Sequence, residues 1–144
     1  MMATEDPHDL NRFLRAQEHD YAPALAEIRS GRKRTHWMWY IFPQLDGLGF
    51  SETARRYAIR GLDEAWAYLE HPVLGPRLVE CAEVVLAVQG RSAREIFGTP
   101  DDLKLRSCVT LFAEVSPAGS VFRRVLEVYF GGEADGKTLR LLDR

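Results

Sequence analysis

Apolar positions recur along this chain at spacings of three and four, the period of one buried face of an α-helix. Leu10, Phe13 and Leu14 mark a first helix, predicted over 9–18 with Asp9 as its cap. Tyr21, Leu25 and Ile28 mark a second over 20–30, capped by Asp20 and stopped by Gly31. Ser51 opens a short helix through Ala54, Tyr57 and Ala58. Asp63 caps another over 63–70, with Trp66 and Leu69 inside and Pro72 beyond its end. Leu78, Cys81, Ala82, Val85 and Leu86 make a longer helix over 76–88, with Pro76 in its first turn and Gly90 after it. Ser92 opens a single turn carrying Ile96 and Phe97, closed by Gly98.

The strongest start signal is Thr99-Pro100-Asp101-Asp102: a cap, a proline at the first helical position, then acids at the positive end of the dipole. Leu105, Cys108, Val109 and Phe112 follow at i, i+3, i+4 and i+7 in a helix predicted over 100–115. Leu103 and Leu111 cover other faces, so this helix is expected to be central and buried nearly all round. A helix over 120–130 ends at Gly131-Gly132, and Lys137 to Leu142 forms a last short one. The aromatic and branched run Trp37 to Phe42, ended by Pro43, is the only strand-like stretch. One strand cannot make a sheet, so it is read as an extended segment or a helical turn beneath the helices. The expected fold is all-α: one domain over 1–144, six to eight short helices, one extended aromatic segment, and a disordered tail at 1–6. Phe13, Trp37, Ile41, Leu78, Val85, Leu105, Val109 and Phe112 are the expected core.

Composition narrows the function classes. The 144 residues carry 46% hydrophobic and 28% charged side chains, an ordinary globular balance. A net charge of −2 and a pI near 6.1 argue against nucleic acid as the partner, since that footprint needs a pI above ~9. The run Val84 to Val88 is far short of the ~20 apolar residues of a membrane span. An acidic start, Glu5, Asp6 and Asp9, does not read as a secretory leader. Cys81 and Cys108 have neither CxxC nor zinc spacing, so the expectation is a cytosolic protein with reduced, buried thiols. His8, His19, His36 and His71 are scattered without ligand spacing, and no P-loop, HExxH, GxSxG or calcium loop is present. Neither metal nor cofactor is expected; no catalytic residue announces itself, and nothing specifies an oligomeric state.

One stretch departs from this pattern. Arg29, Arg32, Lys33 and Arg34 lead into His36, Trp37, Trp39, Tyr40 and Phe42. Basic groups next to aromatic ones can neutralise and stack on a nucleotide-like ligand. Equally, the aromatics can be core and the basic residues a solvated turn. Gly47-Leu48-Gly49 begins like a dinucleotide loop but has Glu52 where the third glycine belongs. Asp101 and Asp102 suit a helix start as well as acid–base chemistry, and Ser107 and Thr110 can bond back to the preceding turn. Lys104, on an otherwise apolar helix, needs a partner such as Asp101.

The stretch Gly31 to Leu45, with Ala67 to Leu78 and Pro100 to Phe112, resembles in order the three blocks of a bacterial domain-of-unknown-function family, number 1810. The resemblance runs from about Asp6 to Leu142. It implies a small, mainly helical, single-domain cytosolic protein and no assigned activity. The name calpastatin often given to that family does not suit a compact globular pattern. Cys108 departs from the family's block, which more often has serine there. Polar residues within the blocks, His36, Gln44, Asp102, Lys104 and Ser107, are the candidate ligand-binding set. In the leading reading, segment 35–45 packs beside the start of the 100–115 helix and forms a pocket for an anionic or nucleotide-like small molecule. His36 would donate to the ligand, Gln44 would orient it, and Asp102 would position Lys104 or His36. The alternative is a non-catalytic interaction module presenting the aromatic segment 37–42.

Overall fold

The computed structural model describes residues 5–143. Among them are ten helices: α1 (Asn11–Gln17), α2 (Tyr21–Arg29), α3 (Met38–Ile41), α4 (Glu52–Arg56), α5 (Leu62–Glu70), α6 (Leu74–Ala87), α7 (Ala93–Phe97), α8 (Asp101–Glu114), α9 (Val121–Phe130) and α10 (Gly136–Leu142). The class is all-α, with more helices than the six to eight expected. The aromatic segment, read as extended chain or a helical turn, is the single turn α3, flanked by irregular chain. The described residues contain no strand, only a parallel bridge between Leu45 and Ile59.

Serine caps behave as their chemistry dictates. Ser51 accepts from Ala54 N–H, and Ser92 forms a full capping box with Glu95. The acidic caps expected at Asp9, Asp20 and Asp63 do not, whereas Asp135 caps α10 by accepting from Thr138 N–H. Asp9 has a left-handed φ of 50°, and Asp6, within the segment expected to be a tail, caps α1 by accepting from Leu10 and Asn11 N–H at 2.8 and 2.9 Å. Residues 1–4 of that expected tail lie outside the described residues. The Asp20 carboxylate accepts from the Tyr40 hydroxyl instead of capping α2. Asp63 sits in the first turn of α5, behind Gly61. α8 starts after Pro100 with no side-chain cap, so Thr99 does not serve as one.

α8 is the centre of the packing. It lies against α5, α7, α9 and α10, while α6 bridges α2, α5 and α9. Leu105, Cys108, Val109, Leu111 and Phe112 are fully buried, as are the other expected core residues. An aromatic chain runs from Phe13 through Tyr68 and Phe112 to Phe122, with ring centroids 5.1, 5.4 and 5.8 Å apart. Two expectations fail here. Leu103 is 54% exposed, so α8 is not buried all round, and Trp66 is 54% exposed rather than inside. Leu103 opens onto a cavity beside α8, and Trp66 lies on an exposed part of α5.

Candidate functional site

The chain between α3 and α4 is held against the rest of the fold by its own backbone. Ile59 N–H donates to Gln44 C=O, and Asp46 N–H donates to Ile59 C=O, both at 2.8 Å. Segment 56–58 is in turn bolted to α1 by the buried Arg12. Its guanidinium donates to the carbonyls of His8, Asp9, Arg56 and Ala58 and to Glu64 Oε2 at 2.7 Å. That engages all five guanidinium N–H groups.

The basic–aromatic stretch is fixed by one carboxylate. Glu27 of α2 accepts from Arg34 N–H (2.7 Å), Thr35 N–H (3.0 Å), Thr35 hydroxyl (2.6 Å) and the Trp37 indole N–H (3.0 Å). Partial burial raises the carboxyl pKa. The four donors, Thr35 hydroxyl foremost, outweigh burial and hold it at about 2. Trp37, Met38, Ile41 and Phe42 are thereby core. This corrects the interaction-module reading for Trp37 and Phe42, which are buried and not presented to a partner, while Trp39 and Tyr40 stay partly exposed.

What that stretch does form is one wall of a cavity. Trp39, Gln44, Leu45, Leu48 and Tyr57 face Leu103, Lys104 and Ser107 of α8 across a volume of about 440 Å³, with Asp135 and Lys137 from the start of α10 at its border. The cations are placed by Asp101. Its carboxylate takes Lys33 Nζ at 2.9 Å and Lys104 Nζ at 3.4 Å. Lys33 lies over the Trp37 ring at 5.0 Å and Lys104 over Trp39 at 5.2 Å. The Lys33 side chain is 7% exposed and that of Lys104 is 29% exposed, so Lys104 is the ammonium that reaches the cavity. The Ser107 hydroxyl lies 3.1 Å from Leu103 C=O and 3.0 Å from Asp135 Oδ2, with one proton to give. Thr110 bonds back to Arg106 C=O and accepts from Asp135 N–H, each at 2.8 Å. This clamp sets the start of α10 against α8.

Of the candidate residues, Gln44, Lys104 and Ser107 come together at the cavity. His36 is exposed and does not line it; its carbonyl accepts from the Tyr40 hydroxyl. Asp102 does not line it either, and the residue that pairs with Lys104 is Asp101. Asp102 Oδ1 is buried without a hydrogen-bond partner among the described residues. The start of α8 is also not the open anion cradle its dipole suggests. The N–H groups of Asp102, Leu103 and Lys104 already donate to Gly98 and Pro100 carbonyls. Tyr57, Asp135 and Lys137 were not among the candidates. Aspartate before a glycine that opens a helix is a readable start signal, but nothing local tells that this start returns to α8.

The thiols offer no nucleophile. Burial pushes Cys81 up to about 12 and Cys108 well above the ordinary thiol value. Among the described residues no cluster of His, Cys, Asp or Glu could hold a metal ion, and no helix is long and apolar enough to cross a membrane.

The chain aligns over 96% of its length with the crystal structure of a conserved hypothetical protein, Rv1873, from Mycobacterium tuberculosis. The two share 55% identity and a TM-score of 0.94, and the match covers 99% of the Mycobacterium chain. No curated protein matches. The model of one family, described as a protein of unknown function (DUF1810), matches residues 7–142. That span takes in the α3 turn, the Leu45–Ile59 bridge and the whole of α8, and the chain belongs to the DUF1810 family.

Proposed function

We propose that the cavity between segment 39–49 and α8 binds a small organic anion, nucleotide-like or otherwise, and that the protein acts through that ligand. The observation that carries this reading is Lys104. A lysine on the central helix is held over Trp39 and only partly neutralised by Asp101, and it opens onto a concave, mostly apolar space of about 440 Å³. Ligand pockets have this size and make-up: apolar walls with a few converging polar groups, here Lys104, Gln44 and Ser107. Stability gives little reason for Lys104, since a pair three residues apart along one helix contributes only ~0.2–0.5 kcal/mol.

The test is a thermal-shift screen of nucleotides and small organic acids on the wild type and Lys104→Met. A ligand at a hundred times its Kd stabilises by about 2.7 kcal/mol, roughly 5–10 °C for a chain of this size. The expected result is a class of anions that raises the wild-type Tm. Lys104→Met should melt close to wild type and not respond. A variant that melts far lower, with no anion shifting the wild type, would make the lysine a structural tie and end this reading.

A further inference from the structure

We infer that the cavity selects singly charged organic acids, an apolar body bearing one carboxylate, over phosphorylated ligands; this rests on the pocket reading above and names its ligand class. The charge at the cavity is countable. Lys104 and Lys137 line the cavity with one carboxylate, Asp135, and just behind them Asp101 pairs with the buried Lys33. One positive charge is left over. Its place is set by the geometry: Asp101 is nearer to the buried Lys33 (2.9 Å) than to Lys104 (3.4 Å). Lys104 is therefore the less satisfied of the two, and it faces the space. Asp135 is instead fixed at the start of α10, where Ser107 and Thr138 donate to its Oδ2, and among the described residues the ion pair of Lys104 is with Asp101. A monoanion neutralises this wall, whereas a dianion leaves a net negative charge in a low-dielectric space.

A second line is independent of charge. Phosphate sites use clusters of free backbone N–H groups at a helix start. Here Asp102, Leu103 and Lys104 have theirs engaged by Gly98 and Pro100 carbonyls. Point donors remain: the Lys104 and Lys137 ammoniums and the Gln44 amide, which has no hydrogen bond to any described residue. The walls otherwise are Trp39, Leu45, Leu48, Tyr57 and Leu103. They suit a hydrocarbon or aromatic body more than a ribose, whose hydroxyls would meet few partners.

Three probes of one shape decide the matter. They are 2-naphthoate, 2-naphthyl phosphate and 2-naphthamide, titrated by calorimetry into the intact protein at pH 8, where the phosphate is a dianion. Naphthoate should bind at least about fivefold tighter than either of the others, the size of one modest ion pair. Lys104→Met, which should melt close to wild type, should remove the preference of naphthoate over naphthamide, and the exposed Lys137→Met should weaken it less. Asp101→Asn raises the net charge of the wall and should shift selectivity toward the phosphate. Phosphate binding tighter than naphthoate in the wild type would overturn the inference and leave the pocket reading intact. Equal binding of naphthamide and naphthoate would overturn the inference and make the cavity a purely apolar one. No binding of any probe, together with a silent thermal-shift screen, would remove both.

Discussion

Arg12 shows how much of this fold hangs on single residues with distant partners. Its buried guanidinium ties α1 to segment 56–58 and to Glu64, which is itself buried and also accepts from Arg60 N–H at 3.3 Å. A buried ion pair adds little net stability compared with an apolar pair, but removing one partner strands the other charge. Arg12→Met should cost about 3–5 kcal/mol in urea denaturation, and adding Glu64→Leu should restore much of it. If the single variant loses less than 1 kcal/mol, the pair is not the bolt described. None of this was legible in the sequence. Arg12 stands in an exposed-looking helix start, and its partners Arg56, Ala58 and Glu64 lie 44 to 52 residues away. Lys104 was legible for the opposite reason: a charge on an otherwise apolar helix demands a partner, and Asp101, three residues before it, is within reach.

At the scale of elements, the helices themselves were readable because their apolar faces keep a strict period and serine caps have few competing partners. The acidic caps were not, because a carboxylate can be claimed by something better placed, as Tyr40 claims Asp20. Junctions between helices were equally hidden, and Gly75 is the sharpest case. It lies in the first turn of α6, where a Cβ would fall 2.0 Å from the Leu69 carbonyl oxygen at the end of α5. Helix propensity favours alanine over glycine by roughly 0.5–1 kcal/mol. A clash with backbone, which cannot rotate away, costs typically 1–3 kcal/mol or more. The clash should win, so Gly75→Ala lowers the Tm. Gly61→Ala has open space at the Cβ and extended backbone at φ 175°, and should leave the Tm within a degree or two. Similar Tm values for the two variants would mean that the α5–α6 junction is looser than drawn.

The whole molecule places its cavity between two stretches, 39–49 and the start of α8, that are far apart in sequence and meet directly where Lys104 lies over Trp39. Each wall was readable as unusual. Their polar groups were expected to pair with each other, but Lys104 pairs with Asp101 and Ser107 with Asp135, and the departure of His36 from the cavity follows from how Glu27 grips the chain just before and after it. That grip makes the architecture acid-sensitive in a predictable direction. The Glu27 carboxyl titrates at about 2 in the folded protein against an ordinary value of 4.5, because Thr35, Arg34 and Trp37 all donate to its charged form. The unfolded chain therefore takes up the proton first. The stabilisation is fully present above pH ~4.5 and fades as pH falls toward ~2, where the folded carboxyl is also protonated. Urea unfolding measured at intervals across that window should show the wild type losing stability with acid. Glu27→Gln keeps the shape but cannot titrate, so it should start lower at neutral pH and show a shallower slope. The gap between the two should close as pH falls. Other carboxylates, Asp6 among them, titrate alike in both proteins, so only the gap carries the information. A gap that stays constant from pH 6 to pH 2 would show that Glu27 holds the basic–aromatic stretch by shape alone, and that the charge on its carboxylate contributes nothing to closing the wall of the cavity.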